Sequence, residues 1–215
     1  MNSFKDEVIS AISHEFKNPI SIINGYIETI LNSDLDEKTK IKFLNKIHKN
    51  TLRLSELIDR LYLITKLENK KLNPNFTKFR LDITAKNLIE GFEDRIKLIS
   101  KPVTIYADKN LIEIVLQNLI SNALKYSKDE VIVKIGDKVE VIDKGRGIEK
   151  KEINLIKKKF YRIAKNDWDN SLGLGLAIVE HILKLHNTSL KIESQKGKGS
   201  RFYFDITSLI NKEPR

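Results

Sequence analysis

The chain has 215 residues, 40% of them hydrophobic and 32% charged, with a net charge of +10. That length suits one or two domains with a real core, and the absence of cysteine excludes a disulfide framework, thiolate catalysis and cysteine-ligated zinc. No apolar run approaches the ~18 residues of a membrane-spanning helix. The N-terminus lacks the apolar core of a signal peptide, and the chain starts inside a helical pattern, as an excised piece of a longer protein would.

Residues 4–31 read as one long helix. Ile9, Ile12, Phe16, Ile20, Ile23, Ile27 and Ile30 recur at spacings of three and four and draw one stripe. His14 lies two residues from both Ile12 and Phe16, so it points away from that stripe, with Glu15 beside it. Alone, a surface histidine is ordinary. Pro19, five residues on, predicts a kink or local loosening. Residues 32–36 form a turn, and Asp36 is a fair N-cap for a second helix over 37–68. Two such helices make an antiparallel hairpin some 40–45 Å long. One hairpin cannot bury both stripes, whereas two copies packed as a four-helix bundle can, so a homodimer is expected.

Residues 71–75 read as a linker between a hairpin domain (1–70) and a second domain (76–215). There, Phe76–Phe79 is a short strand and Asp82 caps a helix running to about Ile99. Val103–Ala107 is a strand and 109–126 a strongly apolar helix. Val131–Ile135 and Lys138–Ile142 are strands joined at Gly136-Asp137. Gly173–His186 is a helix, and Leu190–Ser194 and Ser200–Ile206 are strands across a turn at 196–199. The second domain is therefore α+β: a mixed sheet with helices on one face.

Several clusters there suit phosphate chemistry, though each alone is common. Asn118, Asn122 and Lys125 share one helix face; amide oxygens are hard ligands suited to Mg²⁺, and a lysine one turn on neutralises phosphate. Asp143 ends a strand, where a carboxylate can accept from an exocyclic amine, and Gly145 and Gly147 let backbone approach a ligand. Gly173-Leu174-Gly175-Leu176 opens a helix whose bare N–H groups suit an anion. Residues 144–165 hold nine Lys/Arg against two acids, a local excess of seven, which suits a phosphorylated small molecule or an acidic protein surface. No DNA- or RNA-binding motif accompanies the charge, so no nucleic-acid partner is expected. His14, His48, His181 and His186 are too scattered for a histidine metal cage. No Walker A sequence is present.

In order and spacing these segments resemble sensor histidine kinases over essentially the whole chain. Ser13-His14-Glu15-Phe16-Lys17-Asn18-Pro19 is similar to their phospho-acceptor box. The later segments resemble the asparagine box, first glycine box, phenylalanine box (Phe160-Tyr161-Arg162) and second glycine box. The resemblance implies a dimerisation and phosphotransfer hairpin followed by a GHKL-type ATP-binding sandwich, using ATP and Mg²⁺. It implies that His14 is phosphorylated, Glu15 accepts its proton, and Asn18 orients water in a phosphatase reaction. Asn122 would bind Mg²⁺ with Asn118 nearby, Lys125 would meet phosphate, Tyr126 the adenine–ribose side, and Asp143 the adenine amine. Gly145, Gly147, Phe160, Arg162, Gly173, Leu174, Gly175 and Leu176 would shape a lid over about 144–172. The implied partner is a response regulator, and the implied setting the cytoplasmic part of a membrane-anchored bacterial sensor. Two departures bear on the lid: Lys144 stands where the family often has Asn, and Ser171-Leu172 precede Gly173 where a further glycine is common. A GHKL-type ATPase, or a nucleotide-binding dimeric scaffold without phosphotransfer, are the alternatives.

Overall fold

The computed structural model describes residues 3–69, 71–163 and 172–210. The side chain of Ile9, the middle of the predicted lid with Ser171, and the tail from residue 211 lie outside the description. Two long helices come first, α1 (Ser3–Asn32) and α2 (Glu37–Glu68), packed side by side as the expected hairpin. Asp36 caps α2 as its side-chain chemistry demands: one carboxylate oxygen accepts from Thr39 N at 2.9 Å, the other from the Thr39 hydroxyl at 2.7 Å. Tyr26 and Phe43 meet across the pair with ring centroids 4.8 Å apart. α1 runs through Pro19 without a break. The expected interruption amounts to one missing N–H, which leaves the Glu15 carbonyl without its helical donor.

Much of the hairpin's apolar surface stays uncovered within one chain. Ile20, Ile27, Leu31, Ile41, Leu44 and Leu52 are all exposed, Leu31 at 75%. An apolar stripe of this extent calls for a partner surface.

The α/β part follows in the order β1 (Phe76–Arg80), α3 (Leu81–Ile89), β2 (Ile96–Ser100), β3 (Thr104–Asp108), α4 (Lys109–Tyr126), β4 (Val131–Ile135) and β5 (Lys138–Asp143). Then come α5 (Gly175–Leu185), β6 (Lys191–Gln195), β7 (Gly199–Asp205) and a short α6 (Thr207–Ile210). The main sheet is mixed, ordered β2-β4-β5-β7-β6, with β2 and β4 parallel and the other pairs antiparallel; β1 and β3 form a separate antiparallel pair.

One predicted element is corrected. The helix expected from Asp82 to about Ile99 stops at Ile89, and 96–100 is a strand. Gly91 takes φ +85, a turn conformation that ends a helix. Beyond it the burial alternates, with Ile96 and Leu98 inward and Lys97 and Ile99 outward, which is a strand period. Asp82 is not the cap either: its carboxylate takes both Arg80 guanidinium donors, at 2.6 and 2.8 Å, and the Val103 N–H at 3.1 Å.

Strand register decides what faces the helices. Val139 pairs with Phe204, Val141 with Phe202 and Asp143 with Ser200, and all six are buried. Side chains two apart share a face, so Asp143 lies at the end of the row that packs against the helix layer. On the opposite face Arg201 bridges Glu140 and Glu193 in contact with solvent.

Candidate active site

A pocket opens where α4, the end of β5 and the start of α5 meet. Its wall includes Asn118, Asn122, Tyr126, Asp143, Gly147, Arg162, Gly173, Leu174, Gly175 and Leu176, ten of the residues expected from the sequence. The distant boxes converge because α4 and α5 pack on each other above the sheet.

α4 starts at Asp108, whose carboxylate accepts from Leu111 N at 3.1 Å and Asn75 N at 2.7 Å. The backbone N–H of Asp108 donates to His186 Nε2 at 3.1 Å. That bond fixes His186 as the Nδ1–H tautomer, which donates to Ile182 O at 2.8 Å. His186 is fully buried at the end of α5, so it is a structural tie between the two helices. Asn118 Nδ2 donates to Ile114 O at 2.8 Å. Its Oδ1 lies so close to Gly175 that a Cβ there would sit 2.7 Å from it.

Asp143 Oδ1 accepts from Gly145 N at 2.8 Å. Burial pushes the Asp143 carboxyl above the usual range, while the Gly145 and Ser200 N–H groups hold it down. The β6–β7 turn locks this corner. Gly199 has φ +101, and a Cβ there would lie 2.1 Å from Asp143 O. Only glycine fits that crossing. Gly197 N donates to Arg146 O at 2.7 Å, joining the same turn to the first glycine segment. The Arg146 guanidinium stands 4.6 Å from the Tyr126 ring centroid.

The two described edges of the basic segment also meet. Phe160 N donates to Gly173 O at 3.1 Å, with Phe160 at φ 62 and Gly173 at φ +64. A side chain on Gly173 would run into Tyr161 O at 2.7 Å. The charge of the segment does not leave it unanchored. Ile148 and Ile156 are buried, Ile153 is half-buried on the core, and Leu172 is buried and lines the pocket.

Not every predicted residue reaches the pocket wall. Gly145 sits behind Asp143, against Tyr126 O, and Phe160 packs on the core. Lys125 stands 5.0 Å from the Tyr126 ring centroid and acts electrostatically on Glu15. His14 and Asn18 are exposed on α1.

Glu15 is buried, and it connects the hairpin to the pocket. Its carboxylate lies 3.8 Å from Arg53 Nη2 of α2 and 3.7 Å from Arg162 Nη1, a residue of the pocket wall. Both distances are ion-pair rather than hydrogen-bond lengths, and Oε2 is buried with no hydrogen-bond donor among the described residues. Burial raises the Glu15 pKa, opposed first by Arg53 and then by Arg162. Lys159 pairs with Glu68 between the same two parts of the chain. Sequence reasoning missed Arg53 and also Arg60, which comes from α2 to line the pocket. The available signal was spacing: Arg60 lies three residues after Leu57 and four before Ile64, the two buried apolar residues of α2.

Among the described residues no three His, Asp or Glu side chains stand close enough to cage a metal, and no helix is long and apolar enough to cross a membrane. The amide oxygens of Asn118 and Asn122 are hard donors that suit a Mg²⁺ arriving with a nucleotide's phosphates.

Comparison with known proteins finds two families along the chain. Residues 4–70 match the His Kinase A (phospho-acceptor) domain family, and 107–209 match the family of Histidine kinase-, DNA gyrase B-, and HSP90-like ATPases. The phosphate regulon sensor protein PhoR of Pseudomonas aeruginosa is 30% identical, over 94% of this chain and 50% of its own length. The sensor-like histidine kinase SenX3 of Mycolicibacterium smegmatis is 28% identical, over 99% of this chain and 60% of its own. The chain thus spans between half and two thirds of these relatives. Among solved structures, the Acinetobacter baumannii histidine kinase AdeS superposes with a TM-score of 0.69 at 26% identity, covering 93% of this chain and 98% of that one.

Proposed function

The chain belongs to the sensor histidine kinases, and we propose that it moves the γ-phosphoryl group of Mg-ATP to His14 and then to an aspartate of a response regulator. The observation that carries this is Glu15: a buried, under-bonded carboxylate beside an exposed histidine, joined through Arg162 to the pocket.

Asp143 would hold the adenine amine from the sheet side, with Tyr126 against the adenine–ribose face and Lys125 near the phosphates. Asn122, with Asn118 beside it, would hold Mg²⁺, which when bound neutralises phosphate charge. One ring nitrogen of His14 attacks the γ-phosphorus, the bond to the β–γ bridging oxygen breaks, and ADP leaves. The proton on the other ring nitrogen passes to Glu15. In the second step the N–P bond breaks as an aspartate carboxylate of the regulator takes the phosphoryl group. Asn18, one helical turn from His14 and exposed, would orient water for the reverse, dephosphorylating role. The working unit is a homodimer through the hairpin (1–70), with 71–75 as linker and 76–215 as catalytic domain. Because it consumes ATP, the reaction belongs in the cytoplasm.

The test is incubation with Mg-ATP radiolabelled on its γ-phosphate. Acid-labile, base-stable label on the wild type, absent from His14→Gln, is the expected result. Steady phosphate release with no labelled protein would overturn the reading in favour of simple ATP hydrolysis.

A further inference from the structure

We infer that Arg60 binds the terminal phosphate of the nucleotide, so that the hairpin itself distinguishes ATP from ADP; this rests on the nucleotide-pocket reading above. Leu57 and Ile64 are buried on α2, and α2 packs against α5. Arg60 shares their helix face, the one turned toward the α/β part. It lines the pocket together with Asn122, Arg162 and Gly173. Its charge also reaches Glu15, as do those of Arg53 and Arg162. Arg60 therefore stands between the pocket and the carboxylate beside His14.

Direction completes the argument. Asp143 lines the pocket from the sheet, on β5 between β4 and β7. Arg60 enters from the hairpin that carries His14. A nucleotide whose base lies on Asp143 and whose last phosphate approaches His14 meets Arg60 at that last phosphate. A guanidinium presents a planar fork of donors matched to phosphate oxygens, and ADP offers no group at that position.

The experiment is equilibrium titration of the full chain with Mg-ATP and, separately, Mg-ADP, for the wild type, Arg60→Gln and Arg60→Lys. Arg60→Gln is expected to lose about tenfold or more in affinity for Mg-ATP and to keep Mg-ADP within about twofold. Arg60→Lys, which keeps the charge and drops the fork, is expected to lose less, again only for ATP; it carries the test if the Gln variant does not fold. Unchanged affinities, or equal losses for both nucleotides, overturn the assignment while the pocket reading stands. A wild type that binds neither nucleotide overturns both.

Discussion

Arg53→Gln isolates the electrostatics of the proposed proton acceptor. Arg53 does not line the pocket, yet it lies 3.8 Å from the Glu15 carboxylate and is the foremost influence lowering its pKa. Two unit charges at that distance attract by about 1 kcal/mol in water and by about 4 kcal/mol at the effective dielectric of a protein surface. The Arg53 side chain is 32% exposed and that of Glu15 only 9%, so an intermediate value of about 2 kcal/mol is reasonable. Losing an attraction of that size shifts the Glu15 equilibrium toward the protonated form, so its pKa should rise. The sign follows directly. Burial already raises this pKa, removing a cation raises it further, and transfer requires the ionised form. The acid limb of the rate profile should therefore move to higher pH. The assay is the initial rate of His14 labelling at saturating Mg-ATP, followed from about pH 5 to about pH 8. Rates on the alkaline plateau should change little. An acid limb that stays in place, with Glu15→Gln labelled as fast as wild type, would refute Glu15 as the acceptor.

Three other outcomes are expected. Asn122→Asp puts a charge where an amide oxygen should meet metal and phosphate, and calorimetry should show Mg-ATP affinity falling by about tenfold; unchanged affinity removes Asn122 from the metal site. Gly199→Ala forces a Cβ to within 2.1 Å of Asp143 O at φ +101. It should cost at least ~2 kcal/mol in denaturant unfolding, and a wild-type midpoint would contradict the packing. Leu44→Glu places a charge on the uncovered stripe of α2 and should turn a dimer into a monomer by light scattering; a persistent dimer would mean that another surface pairs the chains.

Local periodicity carried most of the fold. The helix over 109–126 appears with the predicted bounds, because its caps and apolar spacing lie within its own segment. The error at 82–99 has an equally local origin. Apolar residues at 88, 89, 92, 96 and 99 imitate a helical stripe, and the stop at Gly91 was overlooked. What made 96–100 a strand was parallel pairing with 131–135, a contact across more than thirty residues. The pocket was legible for a similar reason, since amides, glycines and the strand-end aspartate sit in compact motifs. Arg53 and Arg60 were not, because nothing near them in the chain announces Glu15 or the pocket. The anchorage of Ile148, Ile153 and Ile156 escaped for want of a regular period.

His186 has a mechanical consequence. It ties the start of α4 to the end of α5, and Gly175 at the start of α5 rests against Asn118, midway along α4. Between those two fastenings lie nine residues of α4 and ten of α5, about 14 Å and about 15 Å of helix. Two nearly equal rods pinned at both ends make a frame that resists spreading. The frame fixes the spacing of Asn118 and the second glycine segment, the two parts of the pocket wall that these helices carry. In mechanical terms the α4–α5 pair is a braced wall, and the hairpin that carries His14 stands against it.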